Sequence, residues 1–138
     1  MFTAGLTTSF KEQVLLAIHD LDTDEIRIAL YGPTATLDAT TTVYTSTGEV
    51  TSTGYTAGGQ VMVSEGVGGS NGTGYCNFVN PSWNNTTFTV RGALIYNATK
   101  GNKSIGVLNF GLDQVTLNQT FTIQLPFNNP ETALIRIL

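Results

Sequence analysis

The sequence predicts a mainly β fold, an antiparallel sandwich or barrel of jelly-roll type led by one N-terminal α-helix. Three observations carry this. About eight stretches read as strands, spaced roughly 8 to 12 residues apart and separated by turn residues. Within them apolar residues tend to alternate with polar ones, the period of a half-buried strand. Only one stretch, near the start, has apolar residues at helical spacing. With 138 residues, a single domain is expected.

Residues 1–8 show no periodicity and are expected to form an arm or frayed end, with the domain proper at 9–138. Ser9-Phe10-Lys11-Glu12 fits a capping box, and Phe10, Val14, Leu15, Ile18 and Leu21 fall on one face. A helix over 9–20 follows from this. The acidic turn Asp20, Asp22, Asp24, Glu25 has the alternating spacing of a calcium loop. It departs from the EF-hand, with Glu25 where glycine is needed and Tyr31 where the bidentate glutamate belongs. A solvated turn is the expectation.

Ile26, Ile28 and Leu30 alternate with Arg27 and Ala29, giving the clearest strand, at 25–31, which Gly32-Pro33 stops. The Thr-rich run at 33–47 has strand propensity at Thr41 to Thr45. Gly58-Gly59 signals a turn before a strand at 60–64. The glycine-rich stretch 65–75, EGVGGSNGTGY, reads as a loop, and no Gly-Lys-Ser/Thr follows to make it a phosphate loop. Asn80-Pro81-Ser82 marks a turn, with Trp83 beyond it.

Residues 87–97 form the longest predicted strand, with Phe88, Val90, Leu94 and Tyr96 on one face. Gly92 interrupts it as a bulge or a close backbone contact. Lys100-Gly101-Asn102-Lys103 reads as a hairpin turn. Strands at 104–110, 114–117, 120–125 and 132–138 complete the set, with a second tight hairpin at 117–120. The last strand, TALIRIL, is expected to be tied into a sheet.

Composition narrows function mainly by exclusion. Charged residues are 12% of the chain, about half the usual share of roughly 25%. The surface is therefore built from Thr, Ser, Asn, Gln and Gly, a composition suited to being covered by partners. Six Lys and Arg residues, scattered in a chain of net charge −4, leave no basic footprint for nucleic acid. No signal peptide and no membrane span are expected. The Asn71, Asn97 and Asn118 sequons are read as unmodified.

No catalytic, cofactor-binding or metal-binding residue is expected, and no enzymatic activity. Cys76 is the one cysteine and lacks a cationic neighbour to activate it. His19, the one histidine, stands near a helix end without a nucleophile, and with Cys76 it is too little for zinc. Asp38, Glu49, Glu65, Asp113 and Glu131 fall in predicted loops, where solvation explains them better than a glycosidase pair.

A resemblance adds to this. The stretch from Ser9-Phe10-Lys11-Glu12 to His19-Asp20-Leu21, the strand Ile26 to Tyr31 and the motif TGYTAGG at 53–59 resemble small virion proteins of tailed bacteriophages and cyanophages. TVRGALIYN at 89–97 and FTIQ at 121–124 look similar to later strands of that family. The glycine-rich stretch 65–75 has no counterpart. The resemblance implies a virion structural protein, made in the host cytoplasm and placed on the capsid exterior. Within that class it points to a cement or decoration protein that binds the major capsid protein as a homotrimer. A tail, adaptor or fibre-base component is the alternative. A carbohydrate-binding sandwich, with Trp83 and the tyrosines as stacking platforms, is a third reading; Trp83 as a core or interface anchor is the simpler one.

Overall fold

The computed structural model describes residues 1–138. In chain order the elements are β1 (Gly5–Leu6), α1 (Thr8–Leu15), β2 (Ile26–Tyr31), β3 (Gln60–Val61), β4 (Ser64–Ser70), β5 (Thr73–Phe78), β6 (Ser82–Thr86), β7 (Thr89–Asn97), β8 (Lys103–Val115), β9 (Gln119–Thr122) and β10 (Ile135–Ile137). Strand accounts for 44% of the chain, all the sheets are antiparallel, and no barrel closes. The central sheet has the order β1-β8-β7-β2-β3, a second sheet β10-β5-β4, and β6 pairs with β9.

The central sheet is buried on both faces, because successive side chains of a strand point to opposite sides. On one face Ile26, Ile28, Leu30, Ala93, Ile95 and Ile105 join Phe10 of the helix and Cys76, Phe78, Trp83, Ile123 and Ile135 of the smaller sheets. On the other, Ala29, Tyr31, Leu94, Tyr96 and Val107 pack under Phe2, Ala35 and Leu37. The Thr-rich segment thus serves as a lid on the central sheet. It contributes only single bridges, Leu37 to Phe2, Val43 to Lys103 and, just beyond the run, Glu49 to Tyr31, rather than the strand its propensity suggests.

Several expectations need correction. The helix stops at Leu15, because Ala17 takes a left-handed conformation (φ 56°). Its N-cap is Thr7, whose Oγ1 accepts from Phe10 N at 3.3 Å, so Ser9 lies inside the first turn and the capping box does not form. Residues 1–8 are not frayed: Phe2 is buried, β1 pairs with β8, and Thr3 N donates to Leu37 O.

The glycine-rich stretch is not a loop. β4 and β5 pair along it, and Asn71-Gly72, both at positive φ, make the tight turn between them. A two-residue Asn-Gly turn at positive φ matches the right-handed twist of paired strands. Lys103–Val115 form one long strand, β8, instead of the two expected over 104–110 and 114–117, and the short turn after it leads into β9, which pairs with β6 rather than folding back on β8.

Gly92 is a bulge and a close contact at once. The β7–β8 register shifts between Val90 and Gly92. A Cβ there would come within 2.5 Å of the Phe2 ring and 2.6 Å of Leu108 O. Arg91 alone on β7 stands opposite Phe110 to Asp113 on β8, and the side-chain parity of β7 changes across this irregularity. Phe88 and Val90 therefore face one core while Leu94 and Tyr96 face the other, instead of sharing a face.

Candidate functional site

The most densely bonded polar site is built around TGYTAGG. Tyr55, in the middle of the motif, reaches its hydroxyl under the lid. It accepts from Leu30 N at 3.0 Å and donates to Glu49 Oε2. The same oxygen accepts from Gly58 N at 2.8 Å, and Oε1 accepts from the Tyr44 hydroxyl at 2.6 Å. Tyr96 donates to Gly58 O and Tyr31 to Thr45 O, each at 2.6 Å. The Tyr44 and Tyr96 rings stack with centroids 4.9 Å apart.

Two glycines of the motif have a mechanical reason. At Gly59, with φ +76°, a Cβ would fall 1.7 Å from Ile28 O. At Gly54, with φ +89°, it would fall 2.8 Å from Asn85 O. Only glycine admits both the left-handed backbone and the close approach. Beyond β3, the outer edge of β2 is completed by the Tyr55 hydroxyl at Leu30 N and by Val50 N on Leu30 O at 2.9 Å. A strand edge that would otherwise invite pairing is thereby closed.

The chemistry open to this site is limited. Both Glu49 oxygens are engaged and the residue is only 8% exposed. Burial, reinforced by Glu49, pushes the Tyr44 and Tyr55 hydroxyls well above the ordinary tyrosine range. They remain donors across the accessible pH range. The site is a clamp holding the lid to the sheet. Glu49 was expected to be solvated; the structure buries it, because hydroxyl and amide donors replace its water. The signal that could have found it is the spacing of Tyr44, Glu49 and Tyr55.

The other carboxylates are not brought together. Asp38 accepts from Thr40 N and Oγ1, Glu65 from Asn77 Nδ2 at 3.0 Å, and Asp113 from Arg91 at 3.2 Å, while Glu131 is exposed. In the acidic turn, Asp20 accepts from Asp22 N, Thr23 N and Thr23 Oγ1, and Asp24 accepts from Asn97 Nδ2 and Asp20 N. Those oxygens brace the turn, and no three His, Cys, Asp or Glu side chains are grouped to hold a metal.

His19 bridges the helix exit to β7. Its Nε2 bonds Gln13 Oε1 at 2.8 Å, and Nδ1 faces Asn97 Nδ2 at 3.0 Å. The pairing fits a neutral ring that donates from Nε2 and accepts at Nδ1. Asn97 is held in this orientation because its Oδ1 accepts from Lys100 N at 3.1 Å. Cys76 is buried in the core, and burial pushes its thiol up to about 11. Trp83 is 6% exposed and packs between Tyr55 and Phe121, so it offers no stacking platform to a sugar.

The largest depression, about 620 Å³, is a shallow groove between the lid and the start of β7. Its lining mixes hydroxyls, among them Thr34, Thr51, Ser52 and Thr89, with apolar side chains such as Phe88, Val115 and Leu117. Comparison of the chain with protein-family models, with curated proteins and with solved structures returned no match.

Proposed function

We propose that this chain is a capsid cement protein of a tailed phage, binding the outer shell as a homotrimer and stabilising it through contacts with the major capsid protein. The reading starts from the virion-protein resemblance. The observation that supports it best is the character of the surface. Charged residues are 12% of the chain, yet large apolar side chains stand in solvent: Leu112 is 73% exposed, Val115 69%, Leu117 69% and Phe127 83%. Thr- and Gly-rich surface with apolar side chains desolvates at lower cost than surface rich in Lys or Glu. A trimer touching several shell subunits gains avidity, since later contacts form at high effective concentration.

A protein that binds only the assembled shell stabilises it by mass action. Shells assembled without this protein should break at lower temperature, and purified protein added back should restore them. Labelled protein found at a single vertex or along the tail would replace this reading with that of a tail component.

A further inference from the structure

Two edge strands lie on either side of one seam. β1 ends the central sheet and β10 ends the second sheet. Between them is an apolar cavity of about 210 Å³ lined by Leu6, Ile105, Leu108, Leu134 and Ile135 among others. Through Leu6 it borders a groove of about 330 Å³ between α1 and β10, lined by Phe10, Val14 and Ile137. Leu15, on the rim of this groove, is 87% exposed, and Ile137 is 55% exposed.

The charges around this groove are distinctive. Arg27, Arg91 and Lys100 pair with Glu25, Asp113 and Asp24. Lys103 donates to Lys100 O at 3.1 Å. Lys11 and Arg136 are the two cations left without such a partner, and both line the same groove. In a chain of net charge −4, unpaired positive charge is thus gathered beside apolar surface.

We propose that this seam docks an extended segment of a partner protein in which apolar side chains alternate with carboxylates, added as a strand to the free edge of β10. The open edge offers backbone donors and acceptors, the common basis of strand addition. Apolar side chains on the face the segment shares with Ile135 and Ile137 fill the groove, and carboxylates on the face it shares with Arg136 reach the guanidinium and, over the groove's rim, Lys11. This assignment rests on apolar and charge complementarity and stands apart from the capsid reading.

The test uses the full chain and a synthetic peptide alternating Val or Leu with Glu, read by fluorescence anisotropy and amide chemical shifts. Micromolar binding is expected, with shifts confined to β1, α1 and β10. It should weaken as salt is raised. Reversing both charges in K11E/R136E should weaken it roughly tenfold, as expected of two exposed ion pairs. Leu15→Asp, at an exposed position, should weaken it without the charge reversal. Absence of binding, shifts elsewhere or equal affinity for a Lys-for-Glu peptide would overturn the proposal. So would self-association that K11E/R136E abolishes, which would make the occupant a second copy. Anionic vesicles that bind and lose affinity in the same variant would assign the seam to a lipid surface instead.

Discussion

The hydroxyl of Tyr55 stands between Leu30 N and Glu49, accepting from one and donating to the other. A single oxygen thus joins the edge of β2 to the lid. Tyr55→Phe removes both bonds and leaves a buried amide and a carboxylate oxygen short of a partner. The expected cost is about 2 to 4 kcal/mol, more than one ordinary hydrogen bond contributes, because unsatisfied groups stay behind. Urea unfolding measures it. A loss below about 0.5 kcal/mol would mean that water reaches the site freely.

Gly59 and Gly111 separate backbone strain from collision. Both sit at positive φ, +76° and +79°, but a Cβ at Gly59 would strike Ile28 O while nothing lies within 4 Å of one at Gly111. Gly111→Ala should cost only the left-handed strain, about 1 to 2 kcal/mol. Gly59→Ala should cost more than about 4 kcal/mol or prevent folding, since the carbonyl it meets belongs to a central strand. Equal thermal midpoints for the two variants would contradict the close approach.

The cap of α1 depends on Thr7 and not on Ser9. Thr7 is fully buried, and its hydroxyl lies 2.9 Å from Ser104 Oγ as well as capping Phe10 N. Thr7→Ala should lower stability by about 1 to 2 kcal/mol. Ser9→Ala loses only long contacts, 3.3 Å to Ser104 Oγ and 3.5 Å to Thr7 Oγ1, from a half-buried position and should cost less than Thr7→Ala, at most about 1 kcal/mol. The pair of denaturation midpoints decides between the two residues.

His19 makes stability depend on mild acid. Burial, only partly offset by Asp24 and helped by Lys103 and Lys100, holds its pKa below the ordinary 6.5. Between the folded and unfolded values the unfolded chain binds more protons, so stability rises with pH there. The contribution is complete above 6.5 and is lost as pH falls through the folded value. Protonation would also set a new Nδ1–H against the Asn97 amide donor. His19→Gln should flatten the stability profile in this window. Asp20 and Asp38, held below 3.8 chiefly by their bonds to Thr23 and Thr40, act at lower pH and leave the window clear.

What could be read beforehand followed physical locality. The alternation of Ile26, Ile28 and Leu30 is a property of neighbouring residues, and the strand lies where it was expected. The hairpin at Lys100 to Lys103 and the anomaly at Gly92 were legible for the same reason. Tyr44 and Glu49 lie in a Thr-rich run whose β propensity pointed to a strand, yet its bonds go to side chains and distant loops. Ser9 matches the capping box through Glu12 and Thr7, followed by Phe10 at the same spacing, does not, yet Thr7 is the cap, buried where its hydroxyl also meets that of the distant Ser104. The β4–β5 hairpin was hidden because glycine is poor in strand propensity, and cross-strand pairing overrides that preference. Which strand β9 pairs with depends on the spatial return of the chain, which no local window records.

The pairing of β1 with β8 has a consequence for how the molecule is made. Gly5 lies opposite Val107, and the Thr7–Ser104 bond joins residues 97 apart in the chain. During synthesis the first strand and the helix beside it emerge long before the partner that will hold them. Phe2, Leu6 and Phe10 must wait, uncovered, while the ribosome adds residues at about 5 to 20 per second. Closing so long a loop before any contact rewards it places folding in the slow range of β proteins, milliseconds to seconds. A nascent chain arrested before residue 104 should therefore be held by chaperones and readily cut by protease, whereas one extended past β8 gains its protection in a single step.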